Sequence, residues 1–382
     1  MATNFPTSVD VLTNPIASNS QNSPSHAGQH ADANDAIEAI ETYVLAQQPT
    51  FRNVLINGEF NINQRAFTST TTSGAYGFDR WALSTGANGT CTYSSQVFAV
   101  GNAIAGYEPT NYARLVTASQ TLSSAYSIFE QKIEDVRTFA GQTVTISFWA
   151  KAATGTPKVS IENTQYFGTG GSPSANVLTY GGQVTLSTSW ARYSVTYTIP
   201  SLSGKTIGTT ANTSFTTASL WTSGGSDYNA RTGSIGIQNN TIEFWGVQLE
   251  KGTVATPLEL LPIGTELALC QRYYFRAGTN DYNVYAGLSN SAFAQSTTTI
   301  IGMVAFPVQM RIAPTAIDSS NLGYRQSSGS TVGVTSPTLD SGQTSATVGT
   351  LYATVSSTTA NLPGFLVKNN NTAGFLGWSA EL

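Results

Sequence analysis

The chain has 382 residues, of which 10% are charged and 40% hydrophobic, and its formal net charge is -4. Soluble globular domains carry roughly 25% charged residues, so Thr, Ser, Asn and Gly stand here where ions usually do. This composition excludes a mostly helical protein, charge-driven disorder and a basic nucleic-acid binder, and leaves a β-rich protein with a neutral surface.

Residues 1–30 show no sustained periodicity, and Pro6, Pro15 and Pro24 recur among Asn, Ser and Thr. Order in such a segment comes from docking onto something else. The start, MATNFPTSVDVLTNP, lacks the basic and apolar regions of a secretory signal, and no run is apolar enough for a membrane helix. The only histidines are His26 and His30, in PSHAGQH. Three copies around an axis could hold a transition metal, but Gly28 lies between them and the helical pattern starts later, so they read as polar docking residues without a metal.

The stretch ADANDAIEAIETYVLAQQ, residues 31–48, is predicted helical, with Asp32, Asn34 or Asp35 as cap and Pro49 as stop. Ala33, Ile37, Ile40, Val44 and Gln47 form one stripe. A lone helix of this length is marginal in water. Residues 31–50 are therefore expected to join a parallel coiled coil that holds a homo-oligomer, and small and β-branched positions are compatible with three strands.

From 51 to 262 the pattern is short strands and turns. In TVTISFWAKA, Val144, Ile146 and Phe148 point one way and Thr143, Thr145 and Ser147 the other; Tyr193, Val195 and Tyr197 repeat the pattern. SIGIQNNTIEFWGVQLEKG suggests two strands around Asn239–Asn240. Strands at this spacing read as an antiparallel β-sandwich. Pro257 and Pro262 mark a boundary, a short helix follows from about Thr265 to Tyr273, and β patterns resume to the end, which makes 263–382 a second, smaller β-domain. Cys91 and Cys270 read as buried free thiols, since two cysteines make no disulfide framework.

No G-x-S-x-G or H-E-x-x-H motif is present, and a Ser–His–Asp triad would have to recruit His26 or His30. A glycosidase needs two carboxylates, for which Glu59, Asp79, Glu108, Glu130, Asp227 and Glu243 are candidates; Asp79 beside Arg80 reads as an ion pair. Sugar rings stack on Trp and Tyr while Asn, Asp and Gln take the hydroxyls. Trp81, Trp149 and Trp245 lie in strand patterns and read as core. Trp221, in the Gly-rich SLWTSGGSDYNAR with Asp227, Tyr228, Asn229 and Arg231, is a candidate sugar ligand. So are Asn280, Asp281, Tyr282, Asn283 and Tyr285 in AGTNDYNVYAGLSNS, and Tyr324 and Arg325 in GYRQSSGSTVG.

NVLINGEFNINQRAF followed by YGFDRWAL resembles the opening of the carbohydrate-binding-like jelly-roll domains of phage tail fibres. TVTISFWAKA and FWGVQLEKGTVATPLELLPIGTELALCQRYY resemble their middle and closing strands, and FPVQMRIAPT and WSAEL their C-terminal region. Ala66 stands where the family has Gly after INQR, and Gln248 where related modules carry an acidic residue, which leaves no borrowed calcium site. The resemblance implies a mainly β chain: an N-terminal extended segment, a short trimeric coiled-coil helix, then two antiparallel jelly-roll-like β-sandwich domains. It implies a homotrimeric tail fibre made in the host cytoplasm and acting in the virion tail. Residues 1–30 would dock to tail or baseplate proteins, and the distal loops would bind host surface polysaccharide by multivalency. It implies no enzyme, cofactor, nucleic acid or membrane insertion. A structural tail or baseplate connector and a capsule depolymerase are the alternatives.

Overall fold

The structure, a computed structural model, describes residues 26–46, 51–278, 283–326, 329 and 331–382. Met1–Arg52 and Asn53–Leu382 are separate compact units. In the first, α1 runs His26–Ala46. It starts earlier than the caps suggested, because Ala27, Gln29 and Ala31 are good helix formers that offset the roughly 1 kcal/mol cost of Gly28. Asp32, Asn34 and Asp35 are therefore interior helical residues. Ala33 is half-buried, and Ile37 and Ile40 are 53% and 48% exposed. Residues 1–25, the side chains of His26 and Val44, and Gln47 lie outside the described residues. Among the described residues no group of three or more His, Cys, Asp or Glu is placed to hold a metal ion.

The second unit is built on alternation. Its first eleven strands are β1 (Ser69–Thr70), β2 (Ala82–Gly86), β3 (Thr90–Val97), β4 (Asn111–Ala118), β5 (Tyr126–Glu134), β6 (Thr143–Ala152), β7 (Lys158–Tyr166), β8 (Val177–Thr185), β9 (Ala191–Thr198), β10 (Phe215–Gly224) and β11 (Thr241–Lys251). They form a six-stranded sheet, β1-β3-β4-β11-β6-β9, and a five-stranded sheet, β2-β5-β10-β7-β8. All pairings are antiparallel, and Val144, Ile146, Phe148 and Ala150 of β6 are fully buried between the sheets with Phe129, Leu220 and Phe244. The expected strand before Asn239–Asn240 is absent. The Gln238 side chain ties that stretch to the carbonyls of Lys158 and Thr222, both at 2.8 Å, in place of a ladder.

The INGEFNINQR motif folds into a knot of side-chain hydrogen bonds. Asn57 donates to the carbonyls of Ile62 (2.8 Å) and Asp79 (3.1 Å) and accepts from the Ile62 N–H at 2.9 Å. Ala66 adopts φ 52, a left-handed turn conformation that penalises a Cβ by roughly 1–2 kcal/mol. Ala66→Gly should therefore stabilise the protein by about 0.5–1 kcal/mol after the entropy glycine adds to the unfolded chain. Urea unfolding would read this, and a lower midpoint would refute it.

After α2 (Ile263–Gln271) come β12 (Tyr274–Ala277), β13 (Ser291–Ala294), β14 (Thr299–Ala305), β15 (Ala316–Ser320), β16 (Leu322–Gln326), β17 (Thr331–Leu339), β18 (Val348–Val355), β19 (Pro363–Lys368) and β20 (Phe375–Ser379). These strands are antiparallel as expected. Six close into a barrel, β13-β14-β18-β17-β16-β19, and three make a small sheet, β12-β20-β15. The barrel core is Ile300, Val304, Tyr324, Leu351, Ala353 and Leu366, with Trp378 of β20 beside it.

Charged residues join this region to the sandwich. Arg80 and Glu381 form a buried ion pair, and the Arg80 guanidinium lies 3.4 Å from the centre of the Tyr273 ring. Asp79 pairs with Arg65 at 3.7 Å and not with its neighbour Arg80, because Arg80 has φ 74 and points into the joint. Arg272 meets Glu134 at 2.9 Å. Cys91 and Cys270 are buried and free.

Candidate functional site

The alternation that fills the core also furnishes the outer face of the six-stranded sheet. Opposite the core positions of β4, β6, β9 and β11 stand Tyr112 and Arg114, Trp149 and Lys151, Arg192, and Glu243 and Trp245. The segment after β3 folds back over them, and Phe98 packs on Tyr112 (4.6 Å between ring centroids) and Trp190 (5.4 Å). The result is an open cleft of about 510 Å³ lined by Phe98, Asn102, Ile104, Trp149, Trp190 and Arg192, among others.

Trp190 is the half-buried ring of this group. Trp149 forms the floor and contacts the fully buried Trp245 at 5.3 Å. The Arg192 guanidinium lies 4.8 Å from the Trp149 ring centre, held by hydrogen bonds to Ser147 Oγ (3.1 Å) and to the Thr256 carbonyl. Next to Trp190, Lys151 Nζ is 5.4 Å from the indole centre and 3.0 Å from Glu243 Oε2; Arg114 holds the other Glu243 oxygen at 2.6 Å. Aromatic faces flanked by an amide and a fixed guanidinium suit a pyranose ring, whose C–H face stacks while its hydroxyls find polar partners. No carboxylate lines the cleft.

Residues 83–215 match the family model of a carbohydrate binding domain. That span contains every lining residue named above. Solved structures resemble about half of the chain. The enzymatically active domain of bacteriophage CBA120 tailspike protein 4 aligns over 53% of this chain and 22% of its own length, at 14% identity and a TM-score of 0.29. A CBM4 structure aligns over 51% of this chain and 98% of its own, at 20% identity and a TM-score of 0.27. A putative sugar binding protein from Bacteroides thetaiotaomicron aligns over 52% and 100%, at 16% identity and a TM-score of 0.34. No curated protein matches the chain.

The residues singled out from sequence are scattered. Trp221 is not in a loop: β10 extends through it and it is fully buried. Tyr228 packs against it (5.2 Å) and the Arg231 guanidinium lies 4.9 Å from its ring centre. Arg231 in turn grips the buried Glu162 with two bonds, at 3.0 and 2.8 Å. This group caps the five-stranded sheet, and only Asp227 and Asn229 stay exposed. Tyr324 is barrel core, fully buried, its hydroxyl donating to the Leu362 carbonyl at 2.8 Å, because an inward β16 position needs a large ring. Its neighbour Arg325 is exposed, as are Asn283 and Tyr285. Asn280, Asp281 and Tyr282 lie outside the described residues.

The candidate carboxylates do not converge either. Asp79 is 1% exposed, and burial lifts it to about 6 against Arg65 and Gln64. Glu130 is hydrogen-bonded by Ser219 at 3.1 Å, and Glu243 is ion-paired. Glu59 is pushed up to about 7, first by burial and then by Glu266. It sits in a narrow crevice with Glu259 and Glu266, whose lining shares no residue with that of the Trp190 cleft. Sequence reading missed Trp190. It lies in STSWARYS, directly before an alternating strand, which is the same aromatic-in-a-polar-turn signal that drew attention to Trp221.

Proposed function

We propose that this chain is a homotrimeric phage tail fibre protein that attaches the virion to host surface glycans, with the cleft beside Trp190 as its sugar platform. The observation that carries this reading is that the aromatic cleft falls wholly inside the segment matching a carbohydrate binding domain. The resemblance of NVLINGEFNINQRAF and YGFDRWAL to tail fibre domains supports the virion role. The exposed Ile37 and Ile40 on α1 support assembly of copies, and residues 1–30 would then dock to tail or baseplate proteins. On this reading the chain binds the glycan and neither cuts it nor uses a cofactor; the match of residues 83–215 to a carbohydrate binding domain supports binding. A site of millimolar strength becomes effective when several copies engage one surface.

Adsorption of the purified full chain to host cells and isolated surface polysaccharide tests this. Trp190→Ala should weaken binding about thirtyfold, as loss of a stacking anchor does, while the unfolding midpoint stays close to that of the parent. Unchanged binding would remove the cleft from the reading. Attachment to tail components but to no cell or glycan would favour a structural connector, and released reducing ends would favour a depolymerase.

A further inference from the structure

A second cavity, of about 270 Å³, lies between the turn after β5, the loop before β10 and the segment joining β14 to β15. Glu134, Asp135, Thr210, Asn212, Ser214 and Arg311 line it, among others, and no aromatic ring does. It shares no lining residue with the Trp190 cleft. Its walls are pinned by backbone bonds. The Thr209 N–H donates to the Gly170 carbonyl at 3.1 Å, the Thr210 N–H to that of Thr169 at 2.9 Å and the Asp135 N–H to that of Ser214 at 3.1 Å. Arg311 is half-buried, and its guanidinium donates to the carbonyls of Asn212 (2.7 Å), Ala380 (3.0 Å) and Glu381 (3.2 Å). Those bonds use three of the five N–H groups of a guanidinium. Both carboxylates of the lining already have a cation. Glu134 accepts from Arg272 at 3.1 and 2.9 Å, and Asp135 from Arg137 at 3.2 and 3.1 Å. Arg311 forms no ion pair among the described residues, its partners all being backbone carbonyls. Three guanidiniums thus stand against two carboxylates.

We infer that this pocket binds a single sugar residue carrying one carboxylate, a hexuronate, with its acid group on Arg311. A surplus guanidinium with unused N–H groups, fixed before the ligand arrives, is a carboxylate receptor. Burial presses the Arg311 pKa downward and Glu134 only partly offsets it, so a bound anion compensates a cation that the fold leaves without one. The surplus is one charge, and Glu134 and Asp135 would repel a dianion such as sulfate. The hydroxyls of Thr210 and Ser214 and the amide of Asn212 suit ring hydroxyls. With no aromatic face to stack on, a neutral sugar has little to hold it here; charge takes the part that stacking plays at Trp190. The volume falls below the roughly 300 Å³ at which pockets for drug-sized ligands begin, which fits one ring and not a chain. The inference adds a second sugar site and does not depend on the cleft.

Ligand-observed NMR titration of the full chain tests this with three probes. D-Glucuronate should bind with a millimolar Kd. Glucose, which has the ring without the charge, and acetate, which has the charge without the ring, should each bind roughly tenfold more weakly. Asn212→Asp sets a carboxylate on the pocket wall; Asn212 is exposed with φ 58, a conformation that Asn and Asp both take. This variant should weaken glucuronate about tenfold while its unfolding midpoint stays near that of the parent. In Trp190→Ala, which disables the cleft, glucuronate affinity should persist. Glucuronate binding no tighter than that of glucose or acetate, or unmoved by Asn212→Asp, overturns the inference, as does its loss in Trp190→Ala. Failure of the cleft shows separately, as adsorption to host polysaccharide that Trp190→Ala does not change.

Discussion

Replacing Glu381 by alanine should destabilise residues 53–382 by about 3–5 kcal/mol, the range for removing one partner of a buried ion pair. The Arg80 side chain is 1% exposed and that of Glu381 7%. Burial works to lower the Arg80 pKa, but Glu381, aided by Tyr273 and Tyr76, outweighs it and the net shift is upward. Glu381 also accepts from Arg65 at 3.2 Å. Without it two guanidiniums share the joint with Asp79, which is itself destabilised by burial. The double variant Arg80→Met with Glu381→Leu should lose much less, because no uncompensated charge remains. Urea unfolding of the three proteins decides the matter: equal losses for single and double variants would mean that packing, and not charge, holds the joint.

Gly58→Ala should cost about 3 kcal/mol or more. A Cβ at this position would lie 2.1 Å from the Val247 carbonyl oxygen, and the same residues are tied by a Val247 N–H to Gly58 carbonyl hydrogen bond of 3.0 Å. Both sides of the clash are backbone, so no rotamer change relieves it. β11 would have to move away from the motif. Its register is already irregular between Trp245 and Gln248, and Trp245 underlies the cleft floor. The variant should therefore also weaken glycan binding. A midpoint within error of the parent would show that the strand shifts freely.

The strands were legible where apolar and polar residues alternate, even in β6, whose two faces are both largely buried. TVTISFWAKA announces β6 because period-two alternation survives along its length, whereas nothing local in LINGEF shows that Gly58 lies against the Val247 carbonyl of a strand far along the chain. Barrel closure was not legible: it depends on β13 pairing with β19, residues some seventy positions apart, and no local pattern encodes that partnership. The cleft was hidden for the same reason, since 98–105, 149 and 190–192 meet only through the order of the six-stranded sheet. Trp221 and Tyr324 misled because Gly and Ser neighbours look like loop. In the fold β10 continues past Trp221 with a register shift before Ser223, and β16 places Tyr324 on its inward side.

The Arg80–Glu381 pair spans 301 positions of sequence. On a ribosome adding about 5–20 residues per second, Glu381 emerges some 15–60 s after Arg80. From the end of β11 at Lys251 onward, the remaining stretch of about 130 residues to Glu381 takes roughly 7–26 s to add, and in that time all the sandwich strands are present while their deepest cation lacks its partner. The nascent sandwich thus waits in a form less stable than the finished one, and the joint seals it only when the far side of the barrel has been made.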